Sequence, residues 1–180
     1  MRKPLKSAIV VVLTMLLGGC FESATPLIDA ANADYPFAQP FHYTFYEWNK
    51  DAKNWQPSET GTISRDGDNY VQLADLSTSD KGDPFLLKSI GDNYYIAQQP
   101  NNSSFIYDLI RLNDNIIYQY GMNCADSDKK FVAQGLIDSF KTDSTRGNVC
   151  AVSSLDKVGR LFRAIAAERP QPQGMFGRDP

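Results

Sequence analysis

Histidine is almost missing from this chain: His42 is the only one among 180 residues. A Ser-His-Asp hydrolase would need His42 itself as its base, and no G-x-S-x-G or other nucleophile motif accompanies it. Zinc is disfavoured too, since the three cysteines have other expected fates and a single imidazole remains. Basic residues form no block or stripe, and 18 of them face 21 acidic groups. Nucleic acid is therefore not an expected partner. Long apolar runs are lacking too. The longest, residues 8–17, is about half of the ~20 residues that a membrane-spanning helix takes. The expectation is a chain without a catalytic centre, metal or cofactor.

What is present begins at the N-terminus. Arg2, Lys3 and Lys6 precede the apolar run, and small residues follow it at Gly18 and Gly19. Charge, length and spacing together read as a secretory signal peptide over 1–19. The stretch Leu17-Gly18-Gly19-Cys20 resembles the lipobox of bacterial lipoproteins. That resemblance implies cleavage before Cys20, a diacylglyceryl group on its thiol, and often a further acyl chain, such as palmitate, on the new amine. Several acyl chains hold a protein to a membrane where a single chain is marginal. In diderm bacteria, family members with Asp after the cysteine tend to stay at the inner membrane. Phe21 at that position implies the periplasmic face of the outer membrane in such a host.

Without residues 1–19 the chain keeps 15 basic and 21 acidic groups, a net charge of −6. Its length suits one domain with a proper core. With Cys20 acylated, Cys124 and Cys150 remain as an even pair in an oxidising compartment, where a disulfide is expected. The alternatives are two buried thiols or a redox-active pair, the latter without the usual motif.

The tether and apolar segment are assigned to residues 20–34. Phe21–Thr25 is expected as a short tether, and Leu27, Ile28, Tyr35 and Phe37 are expected to lie across the domain. A single β-rich domain follows over 35–169. Within it "RDGDNYVQLAD", "SIGDNYYIAQQ" and "RLNDNIIYQYG" repeat a turn-then-strand pattern, with Asp68, Asp92 and Asp114 at the turns. Asn, Asp and Gly tolerate the positive φ of tight hairpins. Together with a first strand over 41–49 they predict an antiparallel meander of seven to nine strands, twisted or partly closed. The spacing also predicts a short helix over 126–135 and a last hairpin around "TDSTRG". A helix over 154–168 follows, capped by an S-x-x-D box at Ser153 and Asp156. Leu155, Val158, Leu161, Phe162 and Ile165 form its apolar stripe. The fold class is thus α+β, and the Pro/Gly-rich 170–180 is expected to be a disordered tail. The terminal helix resembles that of the lipocalin barrels, but their first-strand G-x-W is absent.

Functional candidates are few. Asp66 with Asp68 and Asp126 with Asp128 are D-x-D pairs, but no EF-hand spacing surrounds them and they read as turn carboxylates. Glu47 and Glu59 could be posed as a glycosidase pair, with nothing around them in support. The aromatic cluster over 35–55 is more informative. On strand 41–49 Phe41, Tyr43 and Phe45 share one face, while His42, Tyr46 and Trp48 share the other. Two aromatic faces mean either a strand covered on both sides or a groove. His42, Tyr46, Trp48 and Trp55 are the candidate binding residues. Two functions follow as expectations. One is a membrane-anchored binding or accessory protein of the cell envelope with an envelope protein partner. The other is a carrier of a small apolar ligand.

Overall fold

A computed structural model describes residues 21–49, 51–75, 82–120, 124–125, 128–144 and 147–178; the expected signal peptide and Cys20 lie outside them. The three Asp-centred turns join consecutive antiparallel strands. β1 is Phe21–Ser23, β2 Phe41–Asn49, β3 Asn54–Asp66 and β4 Asn69–Ala74; β5 is Asp83–Gly91, β6 Tyr94–Asn101, β7 Ser104–Asn113 and β8 Ile116–Tyr120. Asp92 (φ 53°), Asn93 (φ 61°) and Asp114 (φ 49°) adopt the left-handed conformation foreseen for them. A fourth turn, with Asn102 at φ 53°, joins β6 to β7. Beyond β8 come α1 (Lys129–Ala133), β9 (Ser139–Asp143), β10 (Gly147–Ala151), α2 (Leu155–Ala167) and β11 (Gly174–Arg178).

The described residues thus contain eleven strands, more than the seven to nine expected. Eight of them close into a barrel in the order β2, β3, β4, β5, β6, β7, β8 and β11, with β11 hydrogen-bonded to both β8 and β2. The fold is mostly antiparallel β, and the helices are a minor part of it. β11 overturns the expected disordered tail. Its glycines read as loop residues, yet each makes room for an aromatic ring. A Cβ on Gly174 would lie 2.5 Å from the Phe45 ring, and one on Gly61 would lie 2.6 Å from the Tyr43 hydroxyl. Large residues on one strand therefore sit over glycines on the next, as small barrels require to fill their interior.

The barrel interior holds Phe41, Tyr43, Phe45, Ile63, Tyr70 and Phe85, among others. A second core lies outside the wall. There the outward residues of β6 and β7, including Ile96, Tyr107 and Leu109, meet Phe131 of α1 and Val158, Leu161 and Phe162 of α2. β7 is buried on both faces, which explains its nearly unbroken apolar run "FIYDLI". The disulfide Cys124–Cys150, with Cα atoms 5.6 Å apart, belongs to this outer core.

The expected tether Phe21–Thr25 is also overturned. Phe21 is fully buried, packs edge-on against Phe162 at 5.8 Å, and pairs with Tyr107 on one side and Cys150 on the other. Three residues are too few to show strand alternation in sequence, so burial alone reveals β1. Downstream, Gln98 pins the chain: its Oε1 accepts from the amides of Leu27 (2.7 Å) and Ile28 (2.8 Å), and its Nε2 donates to the Ile28 carbonyl. The Tyr107 hydroxyl donates to the same Oε1 and shares a 2.6 Å hydrogen bond with Ser23 Oγ. Asp34 completes the edge of β5, its amide donating to the Leu87 carbonyl and its carboxylate accepting from the Ser89 amide. Phe37 then caps one end of the barrel against Tyr70 and Phe41.

The α2 cap is shifted by one residue from the expected box. Ser154, not Ser153, is the N-cap and accepts from the Lys157 amide. Ser153 bonds instead to Asp138, whose carboxyl is held below the ordinary range chiefly by the Lys157 ammonium. The basic residues of α2 are therefore partly structural, since Arg163 Nε also donates to the Ile90 carbonyl.

Two outcomes are expected. Deleting residues 174–178 should leave β2 and β8 as open edges and abolish the cooperative urea transition followed by near-ultraviolet circular dichroism. Replacing Cys124 and Cys150 together by Ser should lower unfolding free energy by about 3.5 kcal/mol, from the entropy of a closed loop of ~25 residues.

Candidate functional site

β2 alternates from Phe41 to Phe45; its register with β3 then shifts between Phe45 and Tyr46, and Glu47 and Trp48 are both exposed. Phe41, Tyr43 and Phe45 enter the barrel, so His42, Thr44, Tyr46 and Trp48 point away from it. The outward face is not covered by α2, which packs over β6 and β7. Of the two alternatives for this strand, cover by the helix on its second face does not hold, and that wall is a surface. Trp48 is 42% exposed and is one of three exposed large apolar residues among the described ones.

Trp48 and Trp55, at the two ends of "WNKDAKNW", are directly opposed across β2 and β3. Their rings meet edge to face with centroids 5.4 Å apart, an arrangement favoured by the aromatic quadrupole. Tyr46 continues the patch. It aligns with Met175 of β11, which aligns with Tyr118 of β8, giving an apolar row across three strands. The Tyr46 ring comes within 3.4 Å of where a Cβ on Gly177 would stand. Glycine at 177 thus lets the tyrosine lie across β11.

Of the four candidate residues, Tyr46, Trp48 and Trp55 form one patch. His42 shares their face but lies six positions from Trp48, about 20 Å along the strand. Its Nδ1 is 3.0 Å from Thr62 Oγ1. That is a cross-strand pair without a nucleophile and carboxylate arranged around the ring. Met175 and Tyr118 were missed as site residues, Met175 because its segment was read as disordered.

The interior offers little chemistry. A cavity of about 40 Å3 inside the barrel is lined by Gln72, Gln99, Asp108 and Gln119 together with apolar residues. That is above the ~10–15 Å3 that a single water needs, so it has room for water rather than for a ligand. Near it, the Tyr43 hydroxyl donates to Glu59 Oε1 at 3.1 Å and accepts from Gln72 Nε2 at 3.0 Å. Burial raises the Tyr43 hydroxyl above its ordinary pKa and keeps it neutral. Glu59 is thereby engaged in a structural bond, while Glu47 is exposed. Asp66 and Asp68 flank the β3–β4 turn, where the Asp68 carbonyl accepts from Tyr35. Among the described residues no group of three His, Cys, Asp or Glu side chains could hold a metal ion.

Compared with known proteins, the chain matches no family model, no curated protein and no solved structure.

The two faces of β2 separate in their energetics. Phe45→Ala should cost about 3–5 kcal/mol by emptying the barrel beside Gly174. Trp48→Ala should cost only about 1 kcal/mol, the size of a cross-strand pair. Urea unfolding monitored by circular dichroism distinguishes them.

Proposed function

We propose that this chain is a lipid-anchored, extracytoplasmic lipoprotein of the cell envelope, held by acyl chains on Cys20 and acting as a binding or accessory module rather than an enzyme. One observation carries the reading: Phe21, the residue directly after the cysteine of the lipobox-like Leu17-Gly18-Gly19-Cys20, is already buried and paired on both sides in the sheet. A signal removed before Cys20 leaves nothing between anchor and domain. The Cys124–Cys150 disulfide suits the oxidising side of a membrane. In a diderm host, Phe21 after the cysteine favours the periplasmic face of the outer membrane.

The working surface in this reading is the outer wall with Tyr46, Trp48 and Trp55, presented to a neighbour at the membrane. Exposed aromatic clusters of this kind are typical of contact sites. A carrier of a small apolar ligand has less support. The barrel cavity of about 40 Å3 is polar-lined in part, and ligand pockets take ~300 Å3 or more.

Metabolic labelling of the natural host with an alkyne fatty acid, followed by intact mass analysis, tests the anchor. The native chain should be labelled, sediment with membranes and begin at Cys20. Cys20→Ala should be unlabelled and retain residues 1–19. An unlabelled or freely soluble native chain would remove the proposal.

A further inference from the structure

We infer that the wall formed by β2, β3 and β11 lies on the lipid headgroup layer, with Trp48 and Trp55 as its interfacial anchors. The inference rests on acylation of Cys20 and names the neighbour of the wall described above.

The geometry follows from the missing tether. Phe21 has no exposed surface and is paired on both sides. One residue reaches at most ~3.6 Å, so acyl chains on Cys20 bring the membrane surface to within one residue of β1. The domain cannot swing away from it as it would on a flexible linker.

Sheet register then says which surface is near. Phe21 aligns with Tyr107, two positions along β7 from Leu109, which aligns with Tyr120 of β8. Gly174 aligns with both Gln119 and Glu47, so Tyr120 and Trp48 each lie one position beyond a shared level of the sheet. With ~3.3 Å per residue and ~4.8 Å per strand, the Trp48 backbone lies about 12 Å from that of Phe21. The patch and the point of anchorage are neighbours.

Chemistry chooses between the surfaces around β1. The outward side of α2 is charged, with exposed ion pairs Asp156–Arg160 and Lys130–Glu168 on it and the adjoining α1. The wall also has exposed charges at Glu47, Asp51 and Lys53, but it carries the Trp48–Trp55 pair and the row Tyr46, Met175 and Tyr118. Tryptophan and tyrosine favour the headgroup level, where the ring is apolar and its polar atom wet. Lys53, exposed at the hairpin tip, can reach phosphates. The net charge of −6 on residues 20–180 excludes general attraction to anionic lipid as the cause, so aromatic partitioning is the driving term.

The chain has two tryptophans, and both are in the patch, so native fluorescence reports on this surface alone. The test uses the acylated protein from its host, reconstituted into phosphatidylethanolamine–phosphatidylglycerol vesicles with or without brominated phosphatidylcholine. Bromolipid should quench most of the tryptophan emission. The soluble domain from Phe21 onward, mixed with the same vesicles, sets the unquenched level. A flexible Gly-Ser insert of about 20 residues between Cys20 and Phe21, with a mean reach of ~25 Å, should restore much of the lost emission. Acylated protein that floats with the vesicles yet emits equally in both kinds would overturn the inference and leave the anchor standing. A chain that neither carries acyl mass nor floats would sink the anchor itself, and the inference with it.

Discussion

The architecture depends on the constraint placed on β7. One of its edges is hydrogen-bonded to β6 along its whole length, while the other is divided between β8 and β1. Its inward residue Ile110 fills the barrel, and its outward residues Tyr107 and Leu109 fill the second core. A strand with two used edges and two buried faces has no freedom of register, because a slip of one residue would exchange its two cores. The barrel, the β1–β10–β9 extension and the helix layer all take their positions from it. Gln98 on the neighbouring strand adds the polar counterpart. It is nearly fully buried yet bonded at both ends of its amide, so ordering residues 27 and 28 leaves no unsatisfied group.

Most of the meander was legible in the sequence because its turns announce themselves. Asp92, Asn93 and Asp114 hold positive φ, and residues that tolerate it recur at regular intervals. The terminal helix was equally legible from its apolar stripe, apart from the choice between two adjacent serines for its cap. Closure was not. It depends on β11, as the β10–β9 extension depends on β1, and with five and three residues neither strand is long enough to show a period. In β11 the local composition misleads, since Gly174 and Gly177 are there for the rings of Phe45 and Tyr46, which are far away in sequence. The same limit applied to the site. Alternation along β2 separated Tyr46 and Trp48 from Phe45, but Met175 joins them only through pairing of distant strands.

The two faces of β2 divide structure from function. Inside, aromatic rings and glycines interlock and leave room for water rather than for a ligand. Outside, the same strand offers Trp48 and Tyr46 to the surroundings, joined by Met175 of β11. In the proposed function this barrel would work by its exterior, oriented by the point where the chain leaves Cys20. Anchor and recognition surface would then be parts of one device, the position of the first strand deciding which wall faces the lipid.

Closure by β11 has a consequence for how the chain reaches its fold. Phe45 and Phe176 are adjacent in the sheet but roughly 130 positions apart in sequence. Contacts of such separation form late, because the entropy of a long loop is lost before the contact stabilises anything. During synthesis the hairpins from β2 to β8 can assemble early, yet they form an open sheet with two adhesive edges until residues 174–178 have emerged. The interval between those events is when this protein is most exposed to sticking to copies of itself, so its escape from aggregation is governed by the arrival time of five residues rather than by the stability of the finished barrel.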